Sequence, residues 1–144
     1  MEFIEEVKKL RIIPENRHYA FFVNKGIIFS KGMNSYIKDK TCTTIHAELD
    51  ALKKVSKLKN CPKNADLIII NVKKNGDLNN GKACEHCLFI LKNSKINFKN
   101  IYYSNIIEGN VCIVKEKFNK ITKNIKSKQS KSLRFKCVNT EYNK

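Results

Sequence analysis

Apolar positions along the chain switch between a helical and a strand-like period, and the switches mark its elements. In residues 2–13, Phe3, Val7 and Leu10 recur at helical spacing with Ile4 beside them, which predicts an opening amphipathic helix. After Pro14, the segments HYAFFV and GIIFSKGM are rich in aromatic and branched residues. They flank the turn signal Asn24-Lys25-Gly26 and predict a β-hairpin. From Thr43 to Leu58 the period is helical again. Ala51, Leu52, Val55 and Leu58 share a face, Thr43 or Thr44 is the expected N-cap, and Pro62 lies beyond the end. ADLIIINV is a continuous apolar run, as expected of a strand covered on both faces. KKNGDLNNG reads as loop, ACEHCLFILKN as the start of a helix, and KNIYYSN and NVCIVKE as strands. Phe118, Ile121 and Ile125 then predict a last helix packed on the sheet. The order α-β-β-α-β-α-β-β-α predicts a three-layer α/β/α domain over residues 1–126, with a mixed sheet between helices. Residues 127–144 are polar and basic and are expected to form a flexible tail.

Composition narrows the setting. A chain of 144 residues, 42% apolar, suits one domain with a sizeable core. No apolar run approaches the roughly 18 residues of a membrane span, so no membrane partner is expected. The N-terminus mixes acids and bases where an export signal carries an apolar stretch, so a cytoplasmic location is expected. In that reducing setting Cys42, Cys61, Cys84, Cys87, Cys112 and Cys137 favour metal binding or burial over disulfides. The net charge is +16, and the last 30 residues hold ten Lys or Arg against two Glu, half of that excess. Such a field attracts polyanions, nucleic acid among them, although abundant Lys, Asn and Ile together also fit a biased codon usage. An assembly of identical subunits is expected.

Two segments place metal-competent side chains at the start of a helix: TIHAE, with His46 and Glu48, and ACEHC, with Cys84 and Cys87. The two cysteines, three positions apart, share one face of a first helical turn. There the partial positive charge of the helix end favours thiolates. Two thiolates and one imidazole give Zn2+ three protein ligands and leave one position open, the pattern of a catalytic site rather than a structural one. Inside a helix, His46 and Glu48 would diverge by about 200°. At a helix entrance both can face one pocket, with Glu48 a carboxylate that takes no part in ligation. Zinc makes hydroxide available near neutral pH, and a carboxylate beside it can move the proton. This is the chemistry of hydrolytic deamination.

The spacing HAE at His46–Glu48 followed by ACEHC at Ala83–Cys87 resembles the H-x-E…P-C-x-x-C signature of the zinc nucleobase deaminases, the cytidine/deoxycytidylate deaminase superfamily. The likeness extends from about Arg17 to Glu116 and includes GIIFSKGMN. It implies a five-stranded sheet between helices, Zn2+ on His46, Cys84 and Cys87, and Glu48 as proton shuttle. It also implies that Asn34 hydrogen-bonds the substrate, at its sugar, and that Ala47 offers backbone to the base. The substrate implied is cytosine in a nucleoside or nucleotide. An RNA- or DNA-editing deaminase whose basic C-terminal segment holds the backbone is the alternative. An inactive zinc-stabilised module that binds nucleic acid is a third reading, from a different class. Ala83 stands where the motif has proline, which presets the backbone at a helix entrance; alanine permits the same shape in a less rigid loop. Histidine as first ligand separates the chain from the free-cytidine deaminases, which usually carry cysteine there.

Other candidates have plainer readings. His86 should turn away from the face shared by the cysteines and lie at the surface. His18 should be structural, and Cys112 a small buried hydrophobe. Tyr102 and Tyr103 alternate faces, so one of them could reach a pocket. The loop from Lys73 to Lys82 could rim it.

Overall fold

The computed structural model describes residues 17–36, 44–73 and 75–125. The opening helix predicted over residues 2–13 and the basic tail lie outside the described residues, as do Cys42, Cys137 and Thr43. The hairpin is formed by β1 (Arg17–Asn24) and β2 (Ile27–Met33). Its turn is made by Lys25 and Gly26 with φ of 50° and 79°, the left-handed pair that matches the twist of a two-residue hairpin. A two-residue pair follows, β3 (Ser35–Tyr36) with β4 (Thr44–Ile45), and then helix α1 (Ala47–Val55). Strand β5 (Asn64–Val72) runs antiparallel to β1, and the loop after it contributes the short β6 (Leu78–Asn79). Helix α2 (Glu85–Lys92) leads to β7 (Asn97–Ile107), which is parallel to β5. β8 (Asn110–Lys117) returns antiparallel to β7, and α3 (Phe118–Thr122) closes the described chain.

The main sheet has the order β2-β1-β5-β7-β8, with β6 paired to one end of β5. It is an α/β arrangement with five principal strands in a mixed sheet, as expected. Alternation along β1 and β5 divides the core. Ala20, Phe22, Leu67 and Ile69 face the helices, and Tyr19, Phe21, Ile68 and Ile70 face away. All eight are buried, so HYAFFV and LIII read as unbroken apolar runs because both faces of these strands are covered. On the helix side Phe98 is the aromatic centre. It meets Phe22 edge-on at 5.0 Å and Phe118 at 5.3 Å, contacts worth about 0.5–1.5 kcal/mol each beyond simple burial. The described residues contain no helix long and apolar enough to cross a membrane.

Three local expectations are corrected. Helix α1 is capped by His46 rather than by Thr43 or Thr44, because Thr44 and Ile45 stay extended to pair with β3. Cys112 is only half-buried, since β8 is an edge strand of the sheet. His86 is buried, because α2 carries apolar residues on nearly every side after its first turn.

Candidate metal centre and its cleft

Both interior helices begin on a potential metal ligand. His46 is the N-cap of α1 with φ −74° and ψ 152°, and Cys84 is the N-cap of α2 with φ −75° and ψ 158°. Neither makes a side-chain cap, although Ser, Thr, Asp and Asn are preferred at such positions for that purpose. In each case the cap carbonyl accepts the first intrahelical bond, from Asp50 and Leu88 respectively. The side chains are turned instead to a common point. His46 Nδ1 lies 3.2 Å from Cys87 Sγ and 3.5 Å from Cys84 Sγ. All three donor atoms fall within 4.8 Å of one another. A tetrahedral zinc with bonds of about 2.0–2.3 Å spaces its ligands by about 3.6 Å, so the cluster is near the required geometry. Two sulfurs, one imidazole nitrogen and two helix N-termini aimed at them make a donor set that fits Zn2+. The hydrogen bond to Cys84 raises the His46 pKa, against burial, as expected of an imidazole held beside thiolates.

Two short networks hold the helices in place. α1 lies so close to β2 that a Cβ at Gly32 would collide with the Ala47 carbonyl and the Ala51 amide. Ser30 Oγ donates to the Ala51 carbonyl at 2.7 Å, and the Met33 amide donates to Asp50 Oδ2 at 3.0 Å. On the other side, Ser104 Oγ donates to the Asn79 carbonyl at 2.6 Å, and the Gly81 amide donates to the Ser104 carbonyl at 2.8 Å. The loop into Cys84 is thereby fixed to β7. Ala83, in the place of the motif's proline, is 7% exposed and belongs to the core; Cys84 reaches its extended cap conformation without proline.

A cleft of about 350 Å³ opens at the cluster. His46, Ala47, Glu48 and Cys84 line it, so the extended backbone of His46 brings its ring and the Glu48 carboxylate into one space. Glu48 is 4% exposed. Burial first, and then the charge of Cys84, push its carboxyl pKa up, while His46 and a hydrogen bond to Cys87 pull it down. Asn34 also lines the cleft. Its Oδ1 accepts from the His18 amide at 2.9 Å, which leaves Nδ2 as the donor for a ligand. The structure thus brings together all six residues singled out in the sequence.

The cleft wall also holds His18, Ile69 and Lys82. His18, expected from its place at the start of a strand to be structural, is thus part of the cleft. Its parity with Ala20 and Phe22 on β1 is the signal that places it on the helix face. Burial and the charge of His46 lower its pKa, so a neutral imidazole is favoured there. The loop does rim the cleft, through Lys82. Neither Tyr102 nor Tyr103 lines it: Tyr103 is buried and donates to Glu116 at 3.1 Å, and Lys115 lies over the Tyr102 ring. Replacing Cys87 with serine, which removes a fully buried sulfur, is expected to lower zinc content from about one per chain to near none by elemental analysis.

The overall structure resembles a dCMP deaminase from the cyanophage S-TIM5, solved in complex with dCMP and dUMP. The match has 19% identity and a TM-score of 0.51, and covers 72% of this chain and 76% of that one. It also resembles cytidine deaminase from Burkholderia pseudomallei, with 14% identity and a TM-score of 0.55, covering 83% and 91%. No protein-family model and no curated protein sequence matches the chain. The chain therefore has the cytidine deaminase-like fold, and within it a His-Cys-Cys cluster suited to zinc.

Proposed function

We propose that the protein hydrolytically removes the amino group of a nucleobase, cytosine in a nucleoside or nucleotide. The observation that carries this reading is Glu48, a buried carboxylate lining the same cleft as His46 and Cys84 without belonging to their cluster. His46 Nδ1 and the sulfurs of Cys84 and Cys87 would hold Zn2+, which would supply a water activated for attack at neutral pH. Glu48 takes a proton from the attacking water and delivers it to the ring nitrogen beside the carbon under attack. A second proton, from the hydroxyl newly bonded to that carbon, then passes through Glu48 to the amino group; the C–N bond breaks, ammonia departs, and the oxygen remains as a carbonyl. Asn34 Nδ2 orients the sugar. Ala47, as the first residue of α1, has an amide with no intrahelical acceptor, which is free to meet an oxygen of the base.

The test is a panel measuring ammonia release from cytidine, deoxycytidine, their monophosphates, guanine, and single-stranded DNA and RNA. Release from a cytosine compound is expected. A protein holding about one zinc per chain that releases ammonia from nothing in the panel overturns the reading and favours the inactive zinc module. The net charge of +16 supports a second reading, a polynucleotide substrate. That reading requires binding to weaken steeply as salt rises.

A further inference from the structure

The cleft wall contains one cation whose role the deamination chemistry does not use. Lys82 reaches the cleft from a backbone held on both sides. Gly81 before it is buried, with its amide on the Ser104 carbonyl, and a Cβ there would lie 2.8 Å from Ser104 Oγ and 3.1 Å from the Asn71 amide. Ala83 after it is buried in the core, and Cys84 follows as a cluster ligand. The base of the Lys82 side chain is thus fixed two residues from the reaction centre. Its exposed stem and ammonium are presented at the mouth. Among the described residues no ion pair engages it. Among the described residues the only acid lining the cleft is Glu48, which is buried and committed to proton transfer.

A solvated lysine is ordinary on a chain this basic. A lysine on a pinned loop at the rim of a reaction cleft, with no ion-pair partner among the described residues, is suited to an anion carried by the ligand. The cleft volume of about 350 Å³ is at the small end of small-molecule sites, which suits a single nucleotide. Among the described residues no Phe, Tyr or Trp lines it, so they supply none of the large aromatic platforms on which single strands are held.

Resting on the deaminase reading, we propose that Lys82 is a specificity-determining residue that binds the phosphate of the substrate, and that the substrate is a nucleoside monophosphate. The ammonium acts as a point charge on the phosphate oxygens, so Arg in its place retains the interaction and Ala or Glu does not.

The test compares kcat/KM for cytidine and deoxycytidine with that for their monophosphates, using zinc-loaded protein and Lys82→Ala, Lys82→Glu and Lys82→Arg variants. Wild type is expected to favour the monophosphate. Lys82→Ala should lower the monophosphate-to-nucleoside ratio by about 10- to 100-fold, Lys82→Glu by more, and Lys82→Arg by little. Titration calorimetry with cytidine monophosphate and cytidine supplies a readout independent of turnover, in which Lys82→Ala should weaken the former selectively. A wild-type ratio near one, a ratio unchanged in Lys82→Ala, or faster turnover of a single-stranded oligonucleotide overturns the proposal while leaving deamination standing. Absence of deamination from every substrate overturns the deaminase reading. In that outcome the calorimetry alone decides whether Lys82 holds a phosphate.

Discussion

Replacing Glu48 with glutamine is expected to lower ammonia release by about 10²–10⁴-fold while the protein keeps about one zinc per chain. Both halves of this result follow from the geometry. The atoms that cluster as potential metal ligands are His46 Nδ1, Cys84 Sγ and Cys87 Sγ, and Glu48 is outside that set, so its loss leaves the donor cluster intact. Glu48 nevertheless lines the cleft, is 4% exposed, and has a carboxyl whose pKa is raised by burial and by the charge of Cys84. A carboxyl group in that place can accept a proton and return it, which an amide of the same shape cannot do. Alanine at this position should abolish turnover equally but also opens a hole at the floor of the cleft, so glutamine is the cleaner variant. The measurement pairs steady-state ammonia release with elemental analysis of the same sample. Turnover that survives in both variants shows that the proton takes another path, and zinc lost along with activity shows that Glu48 is structural.

Much of the fold was legible in the sequence because its elements obey local rules. The hairpin was marked by Lys25-Gly26, whose positive φ values favour glycine in the second place. The central strand was marked by the run through Ile68, Ile69 and Ile70, whose side chains alternate between two buried faces. The metal cluster was legible for a different reason. Cys84 and Cys87 are joined by one turn of helix, and His46 and Glu48 by one helix entrance, so each half of the site is local even though 37 residues lie between His46 and Cys84. What the sequence hid depends on tertiary surroundings. The helix start was placed at Thr43 or Thr44 from cap preference, but pairing of Ile45 with Ser35 holds the chain extended until His46. His86 was placed at the surface by its angle from the cysteines. That angle does not show how completely a short apolar helix is enclosed, and here His86 is 7% exposed with neither ring nitrogen hydrogen-bonded. His18 and Lys82 are brought to the cleft by the pairing of β1 with β5 and by the clamp on Gly81, neither of which is a local pattern.

Both cap positions were given up as caps. A Ser or Asp at either position would stabilise its helix by about 0.5–2 kcal/mol, and the chain carries His46 and Cys84 there instead. The local cost is consistent with a site in which ligand placement outweighs helix propensity. It also leaves α1 dependent on its packing against β2 for its exact position.

That dependence makes Gly32 a sensitive backbone position. Gly32→Ala is expected to destabilise the protein by about 1–3 kcal/mol and to weaken zinc binding at the same time. The added Cβ would fall on the Ala47 carbonyl and the Ala51 amide, both backbone atoms of α1, with the Ala51 side chain only 2.9 Å away. No change of rotamer relieves a clash with backbone, so α1 must slide or tilt away from β2. His46 lies at the head of α1, whereas Cys84 and Cys87 are held by α2 and by the loop tied to Ser104. A shift of α1 therefore changes the 3.2 Å and 3.5 Å separations that define the cluster. Gly26→Ala is the control. It sits at φ 79° with open space around its Cβ, so it carries backbone strain of about 1–2 kcal/mol without touching α1. Urea denaturation should show both variants destabilised, whereas competition with a zinc chelator should show weakened metal binding for Gly32→Ala alone. Equal zinc affinity in Gly32→Ala and wild type would mean that α1 moves without carrying His46, and that β2 does not set the geometry of the cluster.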